Sequence, residues 1–330
     1  MRSFDDRLIA GLLLAATITA GYSVPVLSTI FAPLALPALF IMIVASLIPM
    51  ARLKLEEVFS LEADILRIVF WQLFVLPAII LAAANLLKFD GTFVTLMAVT
   101  ACAGSLFASP ALADLLGLNQ RKALQCMVLS TFIMPFSYFI FLTVILHSEV
   151  TIVLADFVGR TGVFLMLPAA LFLLYSAYVE DMPVKSVRQI EHSARWVTIG
   201  ALMVFGLGIV GPAALLLAAD PLRFLTYLAI VTTLGAGMAF LTAIVMYRQG
   251  INNALTASIV SGFRNVGLGF VLIQGSATAD TAAYVGISQI PIFLAPLAMR
   301  LFIAANGKAG GDGQARIPGM AQSLPATGAA

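Results

Sequence analysis

Long apolar runs separated by short polar segments dominate this chain. A membrane-spanning helix needs about 17–25 mostly apolar residues. Ten stretches qualify: 8–26, 30–50, 66–87, 92–114, 123–146, 161–179, 196–217, 222–246, 253–274 and 283–304. The pattern therefore predicts an all-α polytopic membrane protein with ten transmembrane helices. A charged loop beginning at 51–57 joins the second and third runs, and the longest hydrophilic connection is 180–195. Residues 1–305 form one transmembrane domain in this reading. Residues 306–330, rich in Gly, Ala and Pro, read as a disordered tail on the cytoplasmic side.

Composition agrees. The chain has 330 residues, 61% hydrophobic and 10% charged, against roughly 25% charged in soluble domains. Arg2 and Arg7 before the first apolar run imitate a signal peptide. Asp5 and Asp6 do not suit one, so the run is read as a retained membrane helix. Cys102 and Cys126 both lie in apolar runs and form no metal motif.

Charge sets the orientation. With ten spans and the N-terminus inside, the cytoplasmic side holds Arg2, Arg7, Arg52, Lys54, Arg67, Arg121, Lys122, Lys185, Arg188, Arg195, Arg248, Arg300, Lys308 and Arg316. The outer side holds Lys88, Arg160 and Arg223. This excess of inner Lys and Arg puts both termini in the cytoplasm of a multi-pass protein of the cell inner (plasma) membrane. Lipid is the expected partner, and no nucleic acid is.

Two spans are interrupted. Ala103-Gly104-Ser105-Leu106-Phe107-Ala108-Ser109-Pro110 breaks the fourth, and Ser261-Gly262-Phe263-Arg264-Asn265-Val266-Gly267-Leu268 breaks the ninth. Gly costs a helix about 1 kcal/mol relative to Ala and Pro about 3. Ten spans divide into halves of opposite orientation, about 1–150 and 151–305, with one break in each. Paired discontinuous helices in inverted repeats point to a midplane site in a secondary transporter.

Arg264 is the most conspicuous residue, because a guanidinium at membrane depth costs about 2.5–3.5 kcal/mol on insertion scales. Three roles are open to it. It can supply charge in place of a coupling cation, or bind an anionic substrate through its planar fork. It can also be structural, paired with a carboxylate or bonded to carbonyls freed by the broken helices.

Several motifs resemble the bile acid:sodium symporter superfamily, which also contains arsenite exporters. They are Met50-Ala51-Arg52-Leu53-Lys54-Leu55, Gln72-Leu73-Phe74-Val75-Leu76-Pro77, Leu129-Ser130-Thr131-Phe132-Ile133-Met134-Pro135, and Gly262-Phe263-Arg264-Asn265 followed by Leu268. The resemblance covers about residues 5–305 in layout. It implies a panel domain, and a core domain in which the fourth and ninth helices cross. It also implies that Gln72, Ser130 and Thr131 lie near the coupling ion. The chain departs from the pattern where Val260 replaces a Glu, Arg264 replaces a Gln, and Ala108-Ser109 lacks an Asn. A conventional two-sodium site is therefore not expected.

The expected function is alternating-access transport of a small organic anion, such as a carboxylate metabolite or a sterol acid. The candidate substrate-binding residues are Arg264, Asn265, Ser105, Ser109, Ser261 and Gln289, with Ser288 beside the last. The candidate ion-coupling residues are Gln72, Ser130, Thr131 and Asp114. Asp114 can instead pair with Arg264 or sit wetted at the interface. No cofactor is expected; Na+ and H+ are the candidate coupling ions. The alternatives are an arsenite or oxyanion exporter using Cys102, and a non-transporting sensor. An enzyme is not expected, since His147 lies at a span end and His192 in a connection, and no nucleophile or zinc motif occurs.

Overall fold

The computed structural model describes residues 2–48, 62–145, 153–179 and 182–309. These residues are almost wholly helical, and no strand occurs among them. We number the helices α1 (Arg2–Ser23), α2 (Pro25–Leu47), α3 (Ala63–Leu86), α4 (Gly91–Ala101), α5 (Ser109–Leu115) and α6 (Gln120–Thr143). There follow α7 (Leu154–Val179), α8 (Val184–Ile209), α9 (Gly211–Ala219), α10 (Pro221–Gln249), α11 (Ile251–Gly262), α12 (Val266–Ile273) and α13 (Ala279–Ala309). Among the described residues α2, α3, α6, α7, α8 and α10 are each long and apolar enough to cross a membrane.

Side-chain exposure identifies the solvent. Phe136 and Leu174 are each 70% exposed, Phe240 67% and Leu222 75%. So much large apolar surface facing outward belongs in a bilayer. The chain is a membrane-embedded, multi-pass helical protein.

Polar residues at the ends of the apolar runs set the helix starts. The Asp90 carboxylate accepts from the Thr92 amide (3.1 Å) before α4. Asn119 accepts from Lys122 (2.9 Å) before α6 and Asp220 from Arg223 (3.0 Å) before α10. Each cap satisfies an amide that lacks an intrahelical acceptor.

The connection expected at 180–195 is largely helical, since α8 begins at Val184. His192 is therefore in a helix. Lys185, Arg188, His192 and Arg195 recur at helical spacing and are exposed, whereas Val187 and Ala194 are buried. The segment is an amphipathic first half of a helix, a pattern that a simple count of polar residues hides. At the C-terminal end, α13 runs to Ala309, past the boundary expected at 305. Residues 310–330, the motif at 50–55 and His147 lie outside the described residues.

Helix neighbours fall into two sets. In one, α8 packs along α2 and touches α1, and α7 also meets α2. In the other, α10 packs along α11, α5 and α3 meet α6, and α12 touches α4 and α13. The sets meet where α13 lies on α1 and α9, and where α7 reaches α12. At this second junction Arg160 of α7 donates to the Val271 carbonyl (3.2 Å) and to Gln274 Oε1 (3.0 Å). A cation thus sits on the carbonyl end of α12, where the helix dipole favours it.

Candidate functional site

The expected interruptions are real, and they meet. Residues 102–108 separate α4 from α5, and 263–265 separate α11 from α12. Ser105 and Arg264 form an antiparallel bridge. The Asn265 amide donates to the Gly104 carbonyl (2.8 Å), and the Leu106 amide to the Phe263 carbonyl (2.9 Å). Each break therefore supplies partners that the other has lost. In lipid no water is available for that purpose.

Close approach makes this crossing possible. A Cβ added at Gly262 would stand 2.7 Å from Ala239 Cβ and 3.0 Å from the Gly235 carbonyl oxygen of α10. A residue with a side chain at 262 would push the end of α11 away from α10. Asn265 caps α12, its Oδ1 accepting from the Leu268 amide (3.1 Å).

The Arg264 side chain is 2% exposed. Its Nη1 donates to the Ala103 carbonyl (2.9 Å), and its Nη2 donates to the Gln72 carbonyl (3.0 Å). Nη2 also lies 3.5 Å from Met238 Sδ, while Nε has no partner. Among the described residues no carboxylate pairs with this guanidinium. Of the two structural roles considered for it, the described residues show carbonyl bonding, to Ala103 in the first break and to Gln72 in α3.

The Gln72 carbonyl is free for a reason visible in the chain. Trp71–Val75 is a π-helical turn, and the Leu76 amide donates to the Trp71 carbonyl five residues back. In that register the Gln72 carbonyl would accept from residue 77. Residue 77 is proline, which has no amide hydrogen. Arg264 supplies the missing donor from 192 residues away.

Four of the expected site residues share one buried network. Gln72 Nε2 donates to Ser105 Oγ (2.9 Å). The Ser105 hydroxyl has one proton and two candidate acceptors, the Val260 carbonyl at 3.0 Å and Gln72 Oε1 at 3.3 Å. The shorter contact takes it, leaving Gln72 as donor. The Ser105 amide donates to Ser130 Oγ (3.1 Å), and Ser130 donates in turn to the Met127 carbonyl (3.0 Å). Gln72, Ser105, Ser130 and Arg264 are thus brought together.

Among the described residues the remaining candidates have no side-chain bond to that network. Thr131 donates to the Met127 carbonyl of its own helix (2.7 Å) and faces a small void with Phe107 and Ile43. Gln289 bonds the Val285 carbonyl and Ser288 of its own helix, both at 3.2 Å. Ser109 Oγ, Ser261 Oγ and Asn265 Nδ2 are buried without a partner. Asp114 lies in α5, and its side chain is outside the described residues. Cys102 is fully buried and unpaired. Sequence reading missed the carbonyls of Ala103, Gln72 and Val260. A proline five residues after Gln72 was the available signal for one of them.

Beside the crossing lies a cavity of about 300 Å³. Thr100, Gly262, Phe263 and Arg264 line it, as do Thr232, Gly235 and Ala236 of α10 and Ser288, Pro291 and Ile292 of α13. The chain matches no known protein-family model and no curated protein.

The network yields a separable prediction. Gln72→Leu removes a buried donor but leaves the backbone carbonyl that holds Arg264. It should lower stability by about 1–3 kcal/mol, measured by denaturant titration in detergent. Binding that depends on Arg264 should persist. Loss of that binding in a folded Gln72→Leu protein would assign the Gln72 side chain to the ligand.

Proposed function

We propose that this chain is a secondary active transporter of a small organic anion, with Arg264 as a built-in cation in place of coupling sodium. One observation carries the reading. A buried guanidinium, unpaired with any carboxylate among the described residues, bonds one carbonyl freed at a helix break and one left free by Pro77, and Arg264 lines a cavity.

The chemistry supports the substitution. Sodium is a hard cation that requires several oxygen ligands. Here the Ala103, Gln72 and Val260 carbonyls and Ser105 Oγ each already have a donor. An arginine is permanently charged and its fork reaches two acceptors at once. Among the described residues no acid neutralises its charge, which favours an anion in the adjoining cavity.

In this proposal the chain crosses the cell inner membrane ten times as two inverted five-helix repeats, with both termini cytoplasmic. The interrupted pairs α4/α5 and α11/α12 are the fourth and ninth spans. The Lys and Arg bias supports the orientation. The antiparallel pairing of the two breaks is what a two-fold relation between repeats would produce. Alternating access would then come from one set of helices rocking against the other.

Uptake of labelled small carboxylates into proteoliposomes tests the reading. The rate should be the same in sodium and in choline buffer. A steep sodium dependence would sink the cation substitution. Binding without accumulation would identify a sensor instead of a transporter.

A further inference from the structure

The cavity beside Arg264 opens toward the bilayer. Its wall residues Thr232 and Ala236 are exposed. They continue the stripe of α10 that carries Leu222, Leu225, Phe240 and Ile244, each more than half exposed. These positions follow one another at helical spacing along one face, and that face is the lipid-facing one. The opposite wall is α13, through Ser288, Pro291 and Ile292. The floor is the crossing itself.

The mouth lies deep in the membrane. Arg223 of α10 and Asp280 of α13 form an ion pair (2.7 Å) near the N-termini of both helices. Thr232 and Ser288 stand nine and eight residues further along (232 − 223 and 288 − 280), roughly 12–14 Å deeper at the helical rise. Half of a hydrocarbon core is about 15 Å. A solute entering here comes from among acyl chains and meets a wall that includes Arg264.

Size and charge narrow the class. A cavity of about 300 Å³ is at the lower end for organic ligands. It suits a short aliphatic chain and encloses less than a sterol-sized body. Arg264 is the one charged residue among those lining the apolar slot; its enclosed Nε has no partner. An uncharged acyl chain would leave that charge unanswered.

We propose that this crevice between α10 and α13 admits a short-chain aliphatic carboxylate laterally from the bilayer, its chain between the helices and its carboxylate toward Arg264. The proposal rests on the reading of Arg264 as the substrate's counter-charge. It adds a binding site, a route and a chain-length limit.

Calorimetric titration of the protein in nanodiscs, corrected with empty nanodiscs, tests it with butyrate, hexanoate, octanoate and octanol. Affinity should rise by about fourfold for each added methylene and level off when the chain exceeds the crevice. Ala236→Trp places a ring in the mouth from the lipid side. It should weaken octanoate binding by about fifteenfold, the equivalent of roughly two methylenes, and leave butyrate unchanged. Ala236→Leu should act in the same direction and serves if the larger variant folds poorly. Ala229→Trp, on the same lipid-facing stripe outside the cavity, should change nothing.

Unchanged octanoate affinity in both Ala236 variants overturns the site. Equal affinity for butyrate and octanoate overturns the crevice but leaves the transport reading intact. Octanol binding as tight as octanoate makes the crevice an acyl-chain slot and overturns the carboxylate. Absence of any carboxylate binding overturns the proposal, and proteoliposome uptake of other anions then decides the transport reading separately.

Discussion

Arg264→Ala is expected to destabilise the protein by about 2–6 kcal/mol, because two buried carbonyls lose their donors at about 1–3 kcal/mol each. The carbonyls are those of Ala103 and Gln72, and neither has a helical donor to return to. The substitution also removes the charge invoked for transport, so uptake should be abolished. Arg264→Lys separates the two effects. A lysine keeps the charge as a compact ammonium but lacks the planar fork. It should retain ligand binding while losing part of the stability. Denaturant titration in detergent measures the first quantity, and equilibrium binding the second. An Arg264→Ala protein as stable as the wild type would show that the two bonds are not what holds the crossing.

Gly262→Val should be comparably severe. Its Cβ would press on Ala239 Cβ at 2.7 Å and on the Gly235 oxygen at 3.0 Å, and the second contact is backbone that cannot rotate away. Overpacking of this kind costs about 1–3 kcal/mol and occasionally more. The displaced end of α11 carries Phe263, whose carbonyl accepts from Leu106 across the break. The pairing of the two breaks should therefore fail together with the helix contact. Gly262→Ala should show a smaller loss in the same direction. Accessibility of a cysteine introduced at Ser105 to a membrane-permeant thiol reagent reports the opening. Continued protection in Gly262→Val would contradict it.

Much of this arrangement was legible from residue types alone. Gly104 and Pro110 marked one break, and Gly262 and Gly267 the other, because Gly and Pro disfavour helix by known amounts. Arg264 stood out through its cost in an apolar run. Gln72, Ser105 and Ser130 were polar residues with no reason to be in lipid. What remained hidden was chiefly backbone. The acceptors of Arg264 are carbonyls, which every residue possesses, so no side chain announces them. Only Pro77 betrays one, through the amide it lacks. Asn265 caps its own helix with one end of its amide, so its polarity had a local use that a site assignment did not distinguish. Gln289 bonds within its own helix for a similar reason. Val184 as the start of a helix was obscured because the amphipathic turns between 184 and 195 dilute the apolar count.

The reciprocal pairing of the two breaks has a consequence for how the chain is made. Gly104 and Leu106 depend on Asn265 and Phe263, and those partners are synthesised about 160 residues later. At about 5–20 residues per second this is a wait of roughly 10–30 s. During that interval the first break cannot rest in lipid with its amide and carbonyl groups unmet. It has to stay hydrated, or shielded by the insertion machinery, until the second break arrives. A nascent chain ending before residue 263 contains the whole of the first break yet lacks the partner that would let it settle.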